Sequence, residues 1–236
     1  MKIPPKAIVS KEQIITKDEF NNRGIYMKKL FIIGSGGFCK QVIEIIEKLN
    51  IDEKKYNLLG LIDDNDRLLG SEVLGYKVLG TTDYLMDYSK QEEVYGVIAI
   101  ANGKVRAQIN QKLTEVNWIN LIHPNAVISN YIEMGKGNII CAGVVINPEC
   151  LIENHCHINI GTTIGHDVKM KDFVTIMPGS RISGNVEIKK CSLVGTGSTI
   201  IQGLSIEENV IIGAGAVVTK NTSANSLYKG VPAKRF

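Results

Sequence analysis

The chain has 236 residues, with 44% hydrophobic and 22% charged side chains and a formal net charge of +3. This composition is ordinary for a globular protein that can bury a core, and so small a net charge predicts neither nucleic acid nor a membrane surface as a partner. The five cysteines form no Cys-x-x-Cys pair, which argues against a disulfide framework or a zinc knuckle. Together with the charges that interrupt any signal-peptide pattern near the N-terminus, this predicts a cytoplasmic protein.

The first half of the chain has the pattern of an α/β domain. We interpret residues 1–26 as an N-terminal arm of unknown role. Between residues 27 and 122 strands alternate with helices, which is typical of a small Rossmann-like parallel sheet. The predicted strands are residues 28–34, 57–63 and 94–100, and the predicted helices are residues 38–50, 81–89 and 103–116. A last apolar segment, residues 118–124, predicts one more strand that leads out of the domain.

Residues 123–221 have a period of six. Every sixth residue from Ile128 to Val218 is aliphatic, sixteen positions in all, and two residues before each of these a small or β-branched residue predominates. Neither an α-helix nor a flat sheet explains this period. Short parallel strands joined by tight corners explain it, so we predict a left-handed parallel β-helix of hexapeptide repeats, in which each strand pairs with the strand eighteen residues further on. Residues 222–236 follow it as a C-terminal tail.

Glycine directly follows the aliphatic residue in several hexads. We expect these glycines to turn the corners with positive φ, a conformation that glycine adopts without steric cost. They are Gly135, Gly165, Gly195 and Gly213.

One corner carries a titratable pair, His166 and Asp167. A lone histidine is commonly a surface or packing residue, but here a carboxylate follows it and can hold one ring nitrogen in a fixed tautomer. At eighteen-residue spacing His166 also stacks between Pro148 and Gly184, which leaves space over the ring for a small molecule. The pattern predicts a general base outside the prism.

Two further histidines, His155 and His157, raise the alternative of a zinc site shared with His166. The three residues occupy different positions of the hexad, so their side chains are expected to point in different directions. We predict that no metal is bound.

The α/β domain offers a second candidate site. Gly34, Ser35, Gly36 and Gly37 follow the first strand and open a helix, where backbone N–H groups can receive a phosphate. Asp63 and Asp64 end the second strand, where an acid commonly meets a ribose or sugar hydroxyl. The alternative is that these glycines only tighten a strand-to-helix turn.

Several motifs together resemble one family. The chain is similar to bacterial sugar acyltransferases of the sialic acid O-acetyltransferase and nucleotide-aminosugar N-acetyltransferase type. The motifs are IIGSGGF, LIDD, TIGHD, PGSRISGNV, VGTGSTIIQG, IIGAGAVVTK and GVPAKRF.

The resemblance implies acetyl-CoA as co-substrate, no metal, and a homotrimer. It implies that His166 is the catalytic base and that Asp167 orients it. It places cofactor contacts at Thr175, Gly184, Thr196, Gly213 and Ala214. It places the nucleotide or sugar at the glycine turn, at Phe38 and at the two acids, Asp63 and Asp64. Phe38, Cys39, Ala101 and Thr175 depart from the family pattern, and at Thr175 some relatives have a histidine.

We therefore predict an acetyl-CoA-dependent acetyltransferase that acts on the amine of a nucleotide-linked 4-amino sugar. O-acetylation of a sialic acid is the first alternative. A non-catalytic sugar-binding protein and a metal-dependent hydratase on the same β-helix are alternatives from other classes.

Overall fold

The computed structural model describes residues 27–236, so the predicted arm, residues 1–26, lies outside the described residues. The N-terminal unit contains a six-stranded sheet in the order β3-β4-β2-β1-β5-β6. Its strands are β1 (Lys28–Ile33), β2 (Tyr56–Ile62), β3 (Glu72–Val73), β4 (Tyr76–Gly80), β5 (Tyr95–Ile98) and β6 (Asn117–Trp118). Its helices are α1 (Gly37–Asp52), a 3-10 turn (Asp66–Leu68), α2 (Thr82–Ser89) and α3 (Gly103–Lys112).

The central strands of this sheet are parallel and carry apolar residues on both faces. Leu30 and Ile32 of β1 pack with α1 on one face, while Phe31 and Ile33 pack with α2 and α3 on the other. A sheet covered on both faces is what alternating strands and helices produce. The predicted α/β class of this unit is confirmed.

Two details differ from the predicted elements. The turn-rich segment after β2 forms an antiparallel hairpin, in which β3 pairs with β4. Its turn residues, Leu74 and Gly75, both have positive φ, as a tight two-residue hairpin turn requires. The predicted strand at residues 118–124 is split in two: β6 completes the α/β sheet, and the next strand opens the β-helix.

The second unit is a parallel β-helix with three faces, as predicted. Strands pair with those eighteen residues further on, for example Ile139 with His157. Face 1 contains β7 (Leu121–Ile122), β10 (Ile139–Ile140), β13 (His157–Ile158), β16 (Thr175–Ile176), β19 (Leu193–Val194) and β22 (Ile211–Ile212). Face 2 contains β8 (Val127–Ile128), β11 (Val145–Ile146), β14 (Thr163–Ile164), β17 (Arg181–Ile182), β20 (Thr199–Ile200) and β23 (Val217–Val218). Face 3 contains β9 (Ile132–Met134), β12 (Cys150–Ile152), β15 (Lys169–Met170), β18 (Glu187–Ile188) and β21 (Ser205–Ile206).

The last residue of each of these strands points into the prism. From Ile140 to Val218 all of the predicted aliphatic positions are buried, and the smaller residues two positions earlier fill the gaps between them. One long and one short inward side chain per hexad match the narrow width of the coil. The C-terminal tail continues face 1, because β24 (Leu227–Lys229) pairs with β22 and β25 (Lys234–Arg235) folds back on β24.

The corners correct one prediction. Gly135, Gly165, Gly195 and Gly213 do not have positive φ; the left-handed residue is the third one after the inward aliphatic residue, as at Gly161 and Asp167. The glycines that directly follow the aliphatic residue are needed for close packing instead. A Cβ on Gly165 would lie 2.5 Å from the backbone nitrogen of Gly184 in the next coil.

The α/β domain covers the first four coils of face 1. The outward residues there, Leu121, Ile139, His157 and Thr175, are 0% to 2% exposed. In the later coils the outward residue Ile211 of the same face is 50% exposed. The two units therefore share one buried interface. Among residues 27–236, no helix is long and apolar enough to cross a membrane.

Candidate active site

His166 and Asp167 lie at the edge between faces 2 and 3, which we call edge 23 and which runs through Pro148, His166 and Gly184. Their side chains are 59% and 55% exposed, and His166 Nδ1 lies 2.6 Å from Asp167 Oδ2. When Nδ1–H donates to this carboxylate, Nε2 carries a free lone pair. The predicted pair thus has the geometry of a general base with its orienting acid.

The coils above and below hold this corner in place. Asp167 N donates to Pro148 O at 3.2 Å, and Asn185 N donates to His166 O at 2.8 Å. A Cβ on Gly184 would lie 2.7 Å from both Cε1 and Nε2 of His166. The imidazole therefore lies against the glycine backbone of the next coil, and no larger residue fits there without moving the ring.

The other predicted cofactor residues lie at a different edge. Thr196, Gly213 and Ala214 are at the corners between faces 1 and 2, which we call edge 12. Thr196 and Ala214 are exposed, and Gly215 N donates to Thr196 O, which stacks the two coils. Face 2 separates these residues from His166. One chain alone does not bring the predicted base and these cofactor residues together.

Thr175 lies on neither edge. It is on face 1 beneath the α/β domain, 2% exposed, and its hydroxyl donates to Ala101 O at 2.7 Å. The cofactor contact that the resemblance implies for Thr175 has no counterpart in this geometry, because the domain covers the side chain. The sequence carries no signal for this, since the docking face depends on the tertiary structure.

The predicted glycine turn directly follows β1. Gly34 has a φ of 100°, and Ser35 donates to Asp63 Oδ2 through its N–H at 3.0 Å and its hydroxyl at 2.7 Å. Asn65 N donates to the other carboxylate oxygen at 3.0 Å. Partial burial acts to raise the pKa of Asp63, but these hydrogen bonds outweigh it and lower the pKa. Asp63 is therefore an ionised residue that holds the turn.

A cavity of about 260 Å³ opens beside this turn, at the carboxyl ends of β1 and β2. Gly34, Asp63, Asp64, Thr82, Ile100 and Lys112 are among the residues that line it. Asp64 accepts from Thr82 N at 2.7 Å, and Lys112 Nζ lies 2.7 Å from Thr82 Oγ1. Lys112 was missed by sequence reasoning, because a lysine on a predicted helix is typical of an exposed surface. Phe38 does not line the cavity and packs on the His157 ring, with centroids 5.1 Å apart.

Two other histidines of the β-helix, His155 and His157, are buried and pack against neighbouring side chains. The His155 ring stacks on Phe173 with centroids 5.2 Å apart, and its Nε2 lies 3.0 Å from Asn110 Oδ1. Burial, followed by the nearby charge of Arg106, lowers the pKa of His155 to about 4. Within residues 27–236, no group of three or more His, Cys, Asp or Glu residues is placed to hold a metal ion.

Comparisons with known proteins agree with this architecture. The family described as the PglD N-terminal domain matches residues 29–113. GDP-perosamine N-acetyltransferase of Escherichia coli O157:H7 is 34% identical over 150 residues, which are 62% of this chain and 66% of that protein. The alignments span between 21% and 66% of the lengths of the curated relatives.

Solved structures match over nearly the whole described fold. PerB from Caulobacter crescentus, in complex with CoA and GDP-perosamine, superposes with a TM-score of 0.82 at 29% identity, over 91% of this chain and 100% of that one. The acetyltransferase domain of PglB from Neisseria gonorrhoeae, in complex with acetyl coenzyme A, has a TM-score of 0.79 at 30% identity, over 89% of this chain and 100% of the domain. The predicted family resemblance is thereby confirmed. The chain belongs to the nucleotide-aminosugar acetyltransferases, a family of acyltransferases.

Proposed function

We propose that this protein transfers the acetyl group of acetyl-CoA to the amine of a nucleotide-linked 4-amino sugar, with His166 as general base. The observation that carries the proposal is the exposed His166 ring, with Nδ1 2.6 Å from Asp167. The named relatives support an amine acceptor, since one acetylates GDP-perosamine and another is a UDP-N-acetylbacillosamine N-acetyltransferase.

The chemistry requires one proton to move. The acceptor amine attacks the thioester carbonyl carbon, a C–N bond forms, and His166 Nε2 takes the proton from the nitrogen. Asp167 holds the Nδ1 proton in place and stabilises the imidazolium ion. When the C–S bond breaks, the imidazolium returns the proton to the departing thiolate sulfur, and His166 is regenerated.

Gly184 is our candidate for stabilising the oxyanion. It lies beside the His166 ring, and among the backbone hydrogen bonds of residues 27–236 none uses its N–H as donor. A free N–H next to the base can donate to the oxygen of the tetrahedral intermediate.

The cavity in the α/β domain is our candidate site for the nucleotide portion of the acceptor. Its position at the carboxyl ends of parallel strands is where such sheets bind ligands. The first turn of α1 has no side-chain cap, and no atom crowds Gly36 or Gly37. Its free N–H groups can receive the diphosphate.

We further propose that the active enzyme is a homotrimer. Edge 23, with His166, and edge 12, with Thr196 and Ala214, flank face 2 in one chain but would meet across an interface between neighbouring chains. Face 2 suits such an interface, because Arg181 is the only charged residue among its outward positions. Coenzyme A would then lie between two β-helices, within reach of the tail residues Lys229, Lys234 and Arg235.

A cytoplasmic location agrees with the five cysteines, all unpaired. O-acetylation of a sialic acid remains the alternative acceptor chemistry. A sugar-binding protein without activity would lack turnover, and a hydratase would need a metal.

A thiol-release assay tests the proposed function. Acetyl-CoA is supplied with a panel of GDP-, UDP- and dTDP-linked 4-amino sugars, with sialic acids as hydroxyl acceptors. We expect release of CoA with at least one amino sugar and a mass increase of one acetyl group on its nitrogen. A preference for sialic acid would reverse the choice of acceptor, and transfer to no member of the panel would contradict the proposal.

A further inference from the structure

Arg106 of α3 is a fully buried charge between the two units. It is 0% exposed, and within residues 27–236 no ion pair with a carboxylate is formed by its guanidinium. All of its hydrogen bonds go to backbone carbonyls of both units: Ile100 (2.7 Å), Ala101 (2.8 Å), His155 (3.0 Å), Phe173 (2.7 Å) and Val174 (3.1 Å). Burial lowers the pKa of Arg106 to about 10, so the group stays protonated at neutral pH.

The Ala101 carbonyl receives a second donor from the β-helix. Thr175 Oγ1 lies 2.7 Å from it, while Arg106 Nη1 lies 2.8 Å away. A carbonyl oxygen has two lone pairs, and both are used here. The loop after β5 is therefore held against face 1 of the β-helix at one atom, directly by Thr175 and indirectly by Arg106, which also donates to β-helix carbonyls.

This loop forms a wall of the acceptor cavity. Ile100 lines the cavity, and its side chain is so close to the glycine turn that a Cβ on Gly34 would lie 2.6 Å from Ile100 Cγ1. A shift of the loop would move Ile100 against Gly34. The width of the cavity thus depends on where the Ala101 carbonyl is held.

We propose that Arg106 and Thr175 are positioning residues for the acceptor, which act through the Ile100–Ala101 loop and set the shape of the nucleotide-sugar cavity. This inference rests on the proposed function and deepens it. It gives Thr175 a role in acceptor binding in place of the cofactor contact implied by the resemblance.

The first test is Thr175→Val, which keeps the shape of the side chain and removes only the hydroxyl. We expect the KM for the nucleotide sugar to rise about 3- to 10-fold, the scale of one lost hydrogen bond, with kcat and the KM for acetyl-CoA unchanged. Thr175→Ser should restore the acceptor KM. Thr162→Val is the matched control, since Thr162 is also buried and its hydroxyl donates to Met177 O within the β-helix.

The second test is Arg106→Lys, which keeps the charge but cannot reach five carbonyls. We expect a larger rise in the acceptor KM than for Thr175→Val, and faster amide hydrogen exchange in a peptide covering residues 98–105. Thr175→Val should speed exchange in the same peptide to a smaller extent, while Thr162→Val should leave it unchanged.

The outcomes separate the two proposals. A rise in the KM for acetyl-CoA in Thr175→Val, with the acceptor KM unchanged, would overturn the positioning role. Unchanged exchange in residues 98–105 in both variants would overturn it as well. A wild-type chain without transferase activity would contradict the proposed function. The exchange measurement would still decide whether Arg106 and Thr175 hold the Ile100–Ala101 loop in place.

Discussion

At the scale of single residues, the site depends on the backbone conformation of Asp167. Consecutive side chains of a strand point to opposite faces. If the backbone were extended at both residues, the side chains of His166 and Asp167 would therefore point away from each other. Asp167 has a φ of 59°, in the left-handed region. Asp tolerates this region better than most residues. The corner conformation thus brings the carboxylate to Nδ1, and a corner is where a neighbouring acid can orient a histidine.

We expect His166→Ala to lower acetyl transfer about 100-fold or more, the usual scale for loss of a general base. The side chain is exposed and lies outside the prism, so the fold should be intact. The rate is measured by thiol release, and calorimetry with CoA is the control, since cofactor affinity should barely change. Near-normal turnover in the folded variant would rule out His166 as the base.

At the scale of the coil, glycine has two separate roles. Residues with positive φ turn the corners, while glycines directly after the inward residue permit close contact between successive coils. Gly165 lies against backbone atoms of Ser183 and Gly184, whereas Gly184 lies against the His166 ring. The first contact allows successive coils to pack closely, and the second positions the imidazole of the proposed active site.

Alanine substitutions should separate these roles. In Gly165→Ala the new methyl group meets rigid backbone at 2.5 Å, so we expect a lower Tm. In Gly184→Ala it meets a side chain that can rotate, so we expect a nearly unchanged Tm with a large loss of kcat, because the imidazole is displaced. Thermal unfolding and the thiol-release assay are run on both variants. Equal losses of Tm would contradict the distinction.

At the scale of the whole molecule, the interface between the units contains buried histidines that stay neutral. Burial lowers the pKa of His155 to about 4 and the pKa of His157 well below its usual value. In the unfolded chain both histidines bind a proton as the pH falls through about 6.5. In the folded chain they bind it only at a lower pH. The interface is therefore a source of pH-dependent stability.

We expect the free energy of unfolding to fall as the pH drops from about 6.5 to about 4, because the unfolded state binds more protons in this window. His155 alone accounts for a decrease in the free energy of unfolding on the order of 3 kcal/mol, at about 1.4 kcal/mol per pKa unit. Urea unfolding across this pH range measures the slope. His155→Phe keeps an aromatic ring against Phe173 and should have a shallower slope; an identical slope would show that His155 is not responsible.

The proposed trimer can be tested by mixing two inactive variants. His166→Ala disables edge 23, and Ala214→Trp is expected to block the cofactor at edge 12. If each active site combines edge 23 of one chain with edge 12 of another, an equal mixture that assembles at random should recover about a quarter of wild-type activity, since half of the chains carry each intact edge. Light scattering checks the assembly. No recovery from a mixture proven to form mixed trimers would contradict a shared site.

The sequence by itself determined the two units and the corner that carries His166. A period of six with aliphatic residues from Ile128 to Val218 permits few structures, because each inward position must fill the same narrow prism. Local rules also placed the glycine turn at Gly34, since a strand followed by glycines and a helix demands a tight turn. These features depend on residues close together in the chain.

Only the tertiary structure decided what depends on distant contacts. Arg106 resembles an exposed helix residue in the sequence, yet it binds the carbonyl of Phe173, 67 positions away. Thr175 occupies the same hexad position as Thr163, yet one is buried and the other exposed, because the α/β domain covers face 1 and leaves face 2 open. A repeat makes the three faces equivalent in pattern, so the choice of docking face is a property of side-chain packing between the units.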